Sequence, residues 1–458
     1  MKIILLSGGS GKRLWPLSNE ARSKQFLKVL KNLKGQKESM FQRVCRQLEQ
    51  VGLKEKFIIS ASLAQQDIIL NQLSSSVPLI LEPERRDTFP AIALASSYLY
   101  SFMDMSLDDV VIVLPVDSYV EDHFFYKVKE LEQVFKYADI DLSLVGVKPA
   151  YPSEKYGYII PEKKVTLNNY TFYQVSHFKE KPSEEQASLL IKQNAFWNCG
   201  IFAFKLGFMI SLLQNKNLPC HYKELLTQYN NLPKVSFDYE VVEKLKRVAM
   251  VPYNGYWKDL GTWDTLTEKM ETHVTGKGKV CEKSYNTHVV NELDIPVLVF
   301  GISDAVVAAS PDGILVTGKW PNTKLKEYLV EFEQRPMYEE KRWGWYKVLH
   351  YKNYVDNQKI LTKHLGLFSG SNFSYQKHFK RIKVWTIISG EGESVIEGEL
   401  KFVKPGDVVQ IPVNVKHALK AHTDLELIEV QIGSELIEED IELITTEWEE
   451  IVNMLKEE

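Results

Sequence analysis

Lys2-Ile-Ile-Leu-Leu-Ser-Gly-Gly-Ser-Gly-Lys-Arg-Leu-Trp-Pro-Leu-Ser18 is the stretch on which the reading of this chain turns. Four apolar residues, Ile3 to Leu6, make a strand that runs into a loop carrying Gly8, Gly9 and Gly11. Where Cβ atoms are missing, backbone N–H groups can face an anion. Ser7, Gly8, Gly9, Ser10 and Gly11 are therefore a candidate cradle for a nucleoside triphosphate, to which Arg13 and Lys24, the latter in Ser23-Lys-Gln-Phe-Leu27, add positive charge. Two familiar phosphate loops are excluded. A Walker A loop needs Gly at Leu6 and Ser or Thr at Arg13, and a dinucleotide fingerprint needs a third Gly at Leu14.

Around this loop, 458 residues are too many for one ordinary core, and two or three domains are expected. A net charge of −4 leaves no electrostatic footprint for nucleic acid, so phosphate chemistry must be local. Cys45, Cys199, Cys220 and Cys281 lack CxxC spacing and read as reduced thiols. The N-terminal apolar run is a strand's length, and no run approaches ~18 apolar residues. The expectation is a cytoplasmic protein with neither membrane nor nucleic-acid partner.

Residues 1–275 alternate strand-like runs (Ile3–Leu6, Lys56–Ile59, Pro78–Leu81, Val110–Leu114, Leu142–Val147) with helical patterns (Met40–Val51, Leu63–Leu73, Pro90–Met103). That is the pattern of an α/β layer with a mostly parallel sheet, whose ligands sit beyond the carboxyl ends of the strands. From about 284 to 318 short strands and turns suggest a β-helical extension, and 319–341 read as a helix plus linker; together 276–341 form the second segment. After Arg342-Trp-Gly-Trp-Tyr346 the chain is almost entirely strand-like, with turns spaced as in a small all-β barrel, and a last helix lies near 445–456.

Within the first segment, Asp117 closes the apolar strand Val111-Ile-Val-Leu-Pro-Val-Asp117. It is placed either to bind a hard dication or to cap a turn. Asp259 stands in Tyr256-Trp-Lys-Asp-Leu-Gly-Thr-Trp263. Spacing alone does not link the two acids. Phe178-Lys-Glu-Lys-Pro182 reads, by itself, as a solvated turn.

The opening loop, Leu14-Trp-Pro-Leu-Ser18 and Lys24-Gln-Phe26 together resemble the nucleotide-sugar pyrophosphorylases, in the mannose-1-phosphate guanylyltransferase branch that carries a C-terminal cupin. The resemblance covers nearly the whole chain. It implies a Rossmann-like nucleotidyltransferase domain (1–275), a β-helical extension and linker (276–341) and a cupin barrel (342–458). The implied reaction is attack of mannose 1-phosphate on the α-phosphate of GTP with Mg²⁺, giving GDP-mannose and diphosphate, in a homodimer. Asp117 and Asp259 match the metal ligands. Arg13 matches the holder of the β- and γ-phosphates, Lys24 the cation at the α-phosphate, and Lys181 the cation for the sugar phosphate. Glu180, Gly157 and Asn198 match the sugar site, with Asp238 and Tyr239 shaping the pocket, and Arg86 and Thr88 match the base side. The chain departs from the pattern at Lys12 (for Thr), Ser23 (Pro), Asp87 (Asn), Phe89 (Ala), Ser118 (His) and Cys199 (Ser). Several of these touch the base and sugar surroundings. Three other readings share the same residues: another sugar 1-phosphate or nucleotide, a bifunctional enzyme that keeps phosphomannose isomerase activity, and a non-catalytic sugar-nucleotide sensor.

For the cupin the resemblance implies zinc on Gln, His, Glu and His. Gln376, His378 and His417 are present, with Arg381 and Trp385, while the Glu position holds Lys383. An ammonium has no lone pair and repels a dication, by about 4 kcal/mol per unit charge at ~4 Å and an effective dielectric near 20. Asn414 and Ala418 also replace the Gly and Arg expected around the second His. Glu391, Glu393 and Glu397 lie nearby in sequence, with no spacing that makes any of them the missing ligand. The expectation is a degenerate cupin without zinc or isomerase activity.

Overall fold

Ile3, Ile4 and Leu5 are all fully buried because their strand, Lys2–Leu6, lies inside a nine-stranded sheet with a core on either face. Ile3 and Leu5 pack with Phe26, Phe41 and Ile59, while Ile4 packs with Ile58, Phe89 and Ile92. Burial on both faces explains why the run is continuously apolar. The structure, a computed structural model, describes residues 1–457 except 10–11, 74–76, 168–169, 321–324, 333–334, 355–356 and 438–439.

The first strand pairs in parallel with Phe57–Ser62 and Val110–Pro115, and Leu79–Glu82 pairs in parallel outside Phe57–Ser62. Beyond Val110–Pro115, the strand Phe196–Lys205 runs antiparallel, followed by Leu142–Val147 and its parallel partner Val248–Tyr253. The antiparallel hairpin Tyr158–Leu167 and Tyr170–Lys179 completes the edge. Helix Met40–Gln50 starts where Ser39 and Gln42 form a capping box. Helix Thr88–Phe102 starts two residues before the apolar pattern suggests, because the Asp87 carboxylate accepts from the Thr88 N–H at 2.7 Å.

Strands Val274–Thr275, His288–Asn291 and Ala305–Ser310 then stack in parallel, as do Gly278–Val280 and Val297–Val299. Gly313–Gly318 closes the stack antiparallel. The 319–341 region departs from a helix plus linker: Leu325–Tyr328 is one short helix followed by a 3-10 turn, and Tyr338–Lys341 is a strand hydrogen-bonded to Gly344–Asn353. Parts of that expectation, 321–324 and 333–334, fall outside the described residues. The last part is two antiparallel sheets of six and five strands around Tyr346, Leu361, Trp385, Ile387, Leu425 and Leu427. Helix Trp448–Glu457 lays Trp448 and Ile451 on the second sheet. Among the described residues no helix is long and apolar enough to cross a membrane.

Arg22 ties these parts together. Its guanidinium forks onto Glu292 at 2.8 and 2.9 Å, lies 3.6 Å from Glu340 and sits over the Tyr338 ring. Arg22→Met is expected to cost about 2–3 kcal/mol, below the range for a fully buried pair, since Lys28 stays on Glu340 and Glu292 is 29% exposed. The check is the thermal and urea midpoint, with Arg22→Lys recovering only part of the loss because an ammonium cannot fork.

Candidate active site

The glycine loop is held from behind by the residues that follow it. Gln25 donates to the Ser7 carbonyl at 2.9 Å and reaches the Gly8 carbonyl at 3.4 Å. Ser23, where the resemblance expects Pro, donates to the Gly9 carbonyl at 3.0 Å and accepts from Gln65 at 2.8 Å. These bonds take the carbonyls of Ser7, Gly8 and Gly9. Gly9 has φ +113°, a conformation open to glycine, and a Cβ on Gly8 or Gly9 would meet nothing within 4 Å. Ser10 and Gly11 lie outside the described residues. Arg13 is exposed beside the loop, and its charge helps hold the Asp117 carboxyl low.

Asp117 and Asp259 meet through a two-stranded ribbon. Ser118–Val120 pairs with Trp257–Asp259 in the register Asp259↔Ser118, Lys258↔Tyr119 and Trp257↔Val120. Between the acids stands Lys24, whose Nζ is 2.9 Å from Asp117 and 2.8 Å from Asp259. Gly261 leaves the room: a Cβ there would lie 3.0 Å from both Asp259 oxygens and 3.1 Å from Lys24 Nζ. Burial disfavours the ammonium, yet the two carboxylates outweigh it and hold the Lys24 pKa above its ordinary value. Burial likewise works against the Asp117 carboxylate, and Lys24 outweighs it to hold that pKa down. Two carboxylates that converge on one cation suit a hard dication. Mg²⁺ usually takes one or two protein carboxylates and completes its shell with water and phosphate oxygens. The described residues hold no cluster of three or more His, Cys, Asp or Glu able to ligate a metal by themselves.

A second cluster faces this one across aromatic walls. Tyr156 packs on Trp197 and Trp257, and burial, followed by the charge of Asp259, pushes its hydroxyl pKa up. Behind it, Glu180 pairs with Lys181 at 3.0 Å, while the other Glu180 oxygen is buried without a hydrogen-bond partner. A Cβ on Gly157 would lie 2.4 Å from that oxygen, so only glycine fits there. Asn198 donates to Asp238 at 2.7 Å and accepts from the Gly200 N–H at 2.9 Å, which fixes the amide and leaves its second N–H to offer. Burial and the Glu180 charge push the Asp238 carboxyl up to about 7. Burial also raises the Glu180 pKa, with Lys181 opposing. An orphaned carboxylate oxygen beside a fixed amide suits a hydroxylated ligand, and Lys181 adds positive charge suited to an anionic group.

On the remaining side Thr88 and Arg86 serve the fold as well. The Thr88 hydroxyl accepts from the Phe237 N–H at 2.8 Å, and Arg86 donates to the Leu232 carbonyl at 2.8 Å and pairs with Glu84. Sequence reasoning missed the Asn198–Asp238 link and the Ser23–Gln65 brace. Ser236 capping a one-turn helix, Phe237–Glu240, was the available signal for the first. A cleft of about 900 Å³ lined by Asp108, Lys136, Lys205 and Arg247 lies at the opposite, amino edge of the sheet, away from all of these residues.

The barrel interior is the other place where the candidates converge. His378 and His417 are buried with ring centroids 4.9 Å apart, and each leaves Nε2 without a hydrogen-bond partner. Nδ1 of His417 meets the Val415 carbonyl at 2.9 Å, and Nδ1 of His378 meets both the Asp440 carbonyl at 2.8 Å and Arg381 at 3.0 Å. Gln376 pairs directly with His417 across the sheet. Lys383 points inward and reaches Glu429 at 3.4 Å, and Glu429 also accepts from Trp385 at 2.8 Å. Burial, then the Lys383 charge, pushes His378 to about 2 and His417 to about 3. The donor set does not fit a dication: the fourth direction carries an ammonium.

The nucleotidyl transferase family profile matches residues 2–275, and the profile of the mannose-6-phosphate isomerase C-terminal domain matches 333–446. A mannose-1-phosphate guanylyltransferase of Escherichia coli is 30% identical over 96% of this chain and 97% of its own length. One of Salmonella montevideo is 29% identical over 96% and 97%. A crystal structure of a Thermus thermophilus protein, described as a mannose-1-phosphate geranyltransferase, shares 27% identity, with a TM-score of 0.58 over 73% of this chain and 99% of that one.

With Lys24 in place, an incoming dication must compete with an ammonium for Asp117 and Asp259. Lys24→Met is expected to bind Mn²⁺ at least about tenfold more tightly than the unaltered protein in the absence of other ligands. Titration followed by electron paramagnetic resonance reads this directly; equal affinities would show that the acids do not share one cation site.

Proposed function

The chain belongs to the nucleotidyl transferase family and is similar to mannose-1-phosphate guanylyltransferases along nearly its whole length, and on that premise we propose that it makes GDP-mannose and diphosphate from GTP and mannose 1-phosphate. The observation that carries the reading is the convergence of Lys24, Asp117 and Asp259 at the glycine loop, opposite the Glu180–Lys181 pair.

A phosphate oxygen of the sugar attacks the α-phosphorus in line. The bond from that phosphorus to the bridging oxygen breaks, and its electron pair leaves with diphosphate. No proton need move, so the work is positioning and charge stabilisation. Backbone N–H groups of the Gly8-Gly9 loop cradle the phosphates, and Arg13 takes the β- and γ-phosphates. Lys24 stabilises charge on the α-phosphate and the departing diphosphate. Lys181 holds the incoming phosphate, Glu180 and Asn198 accept and donate to sugar hydroxyls beside Gly157, and Arg86 and Thr88 border the base. Asp117 and Asp259 would hold Mg²⁺, which would supply Lewis-acid neutralisation of phosphate charge. Residues 1–275 serve as the catalytic unit and 276–341 as the connection. The cupin, 342–458, serves as a packing and dimerisation unit in a cytoplasmic homodimer, without isomerase activity.

The test is diphosphate release across a matrix of nucleoside triphosphates and sugar 1-phosphates. GTP with mannose 1-phosphate should lead, and no turnover with that pair would sink the proposal. Asp259→Asn should lower kcat/KM by about 10²–10³. Glu180→Gln should raise KM for the sugar phosphate about tenfold or more and leave KM for GTP nearly unchanged.

Asp238 adds a pH dependence. Its folded pKa lies above the unfolded value, so between about pH 4 and 7 the folded chain binds more protons than the unfolded one, and stability falls as pH rises. Asp238→Asn should flatten that decline in thermal midpoint; an unchanged slope would place the titration elsewhere.

A further inference from the structure

The barrel interior carries charged side chains on its inward-facing strand positions. Along Arg381–Ser389 the inward positions are Arg381, Lys383, Trp385 and Ile387; along Leu425–Gly433 they are Leu425, Leu427, Glu429 and Gln431. Lys383 lies directly opposite Gln431 and reaches diagonally to Glu429. From the neighbouring strand Lys363, 4% exposed, faces inward directly opposite Glu429, and its ammonium lies 4.0 Å from the centre of the Tyr346 ring. One carboxylate is thus set among two buried ammoniums, beside two imidazole nitrogens that have no hydrogen-bond partner.

We propose that the ammonium of Lys383, anchored on Glu429, occupies the place of a divalent ion in this barrel, so that the domain is held together by a built-in cation and does not take up metal. Three features support it. His378 and His417 keep their buried Nε2 atoms without a hydrogen-bond partner while their Nδ1 atoms are engaged by the surrounding chain, so both rings are held with one nitrogen toward buried space. The Lys383 ammonium carries N–H donors, aimed at Glu429 3.4 Å away, whereas a metal needs lone pairs that Lys383 does not have. The acid that balances the charge, Glu429, is buried and already fixed by the Trp385 N–H. The pair is therefore a constructed feature of the core.

The test begins with the unaltered full chain, purified without chelator and then dialysed against a small excess of zinc, with metal counted by elemental analysis. The expected result is well below 0.1 equivalent of zinc attributable to the barrel, and a thermal midpoint that does not move with EDTA. About one equivalent of zinc, cobalt or manganese that disappears in His378→Ala would overturn the proposal. In the other direction, Lys383→Glu should acquire about one equivalent of zinc and a midpoint that falls on chelation, both abolished by adding His378→Ala. A folded Lys383→Glu protein, judged by circular dichroism, that still takes no zinc would show that Lys383 is not what fills the ion's place. If that variant does not fold, the metal count on the unaltered protein decides alone.

Discussion

The Lys24 ammonium, shared between Asp117 and Asp259, is the contact on which the N-terminal half depends. It joins the loop after the first strand to two acids far apart in the chain, which nothing local would bring together. The turn that carries it does more. Ser23 and Gln25 hold the carbonyls of the glycine loop, Lys24 reaches the acids, and Phe26 enters the core 5.4 Å from Phe41. Four consecutive residues thus lock loop, acids and core to one another, so the glycine loop cannot shift without disturbing the hydrophobic packing beneath it.

The same pairing recurs in the barrel with its balance reversed. At the glycine loop one ammonium faces two carboxylates, each about a third exposed, a surplus of negative charge that leaves a dication welcome. Inside the barrel two ammoniums face Glu429, with every partner nearly out of solvent. An ion pair of this second kind gains little stability over a well-packed apolar core and loses much if one partner is removed. It serves best as a fixed filling.

How much of this was legible in the sequence depended on the range of the interactions. The five parallel strands and three helices showed because burial on both faces and capping are local: Ile3–Leu6 and Leu142–Val147 are continuous apolar runs, and helix Met40–Gln50 begins at its Ser39 cap. The ribbon joining Asp117 to Asp259 did not show, since three-residue strands carry no periodicity; only resemblance linked the acids. Glu429 was overlooked although the signal was present. Leu425, Leu427, Glu429 and Gln431 keep one period of two, so the inward face of the strand simply turns from apolar to polar halfway along. Glu391, Glu393 and Glu397 border the strand of His417, yet Glu391 and Glu397 are exposed and Glu393 turns to His422, 3.4 Å away.

Departures from the family pattern fall into two physical kinds. Ser23 is absorbed: its hydroxyl bonds replace the stiffness a proline would give, with Gln65 as its brace. Asp87 is not. It holds φ +71° and ψ −174°, a region in which a side chain is strained, while its carboxylate caps a helix and adds negative charge toward Glu180. Strain is thus kept beside the Glu180–Lys181 pair, with an extra negative charge attached. Lys24 is bound into the core through its neighbour Phe26, whereas Asp87 and Thr88 sit at a helix cap, where a substitution changes a charge or an angle without unsettling the sheet.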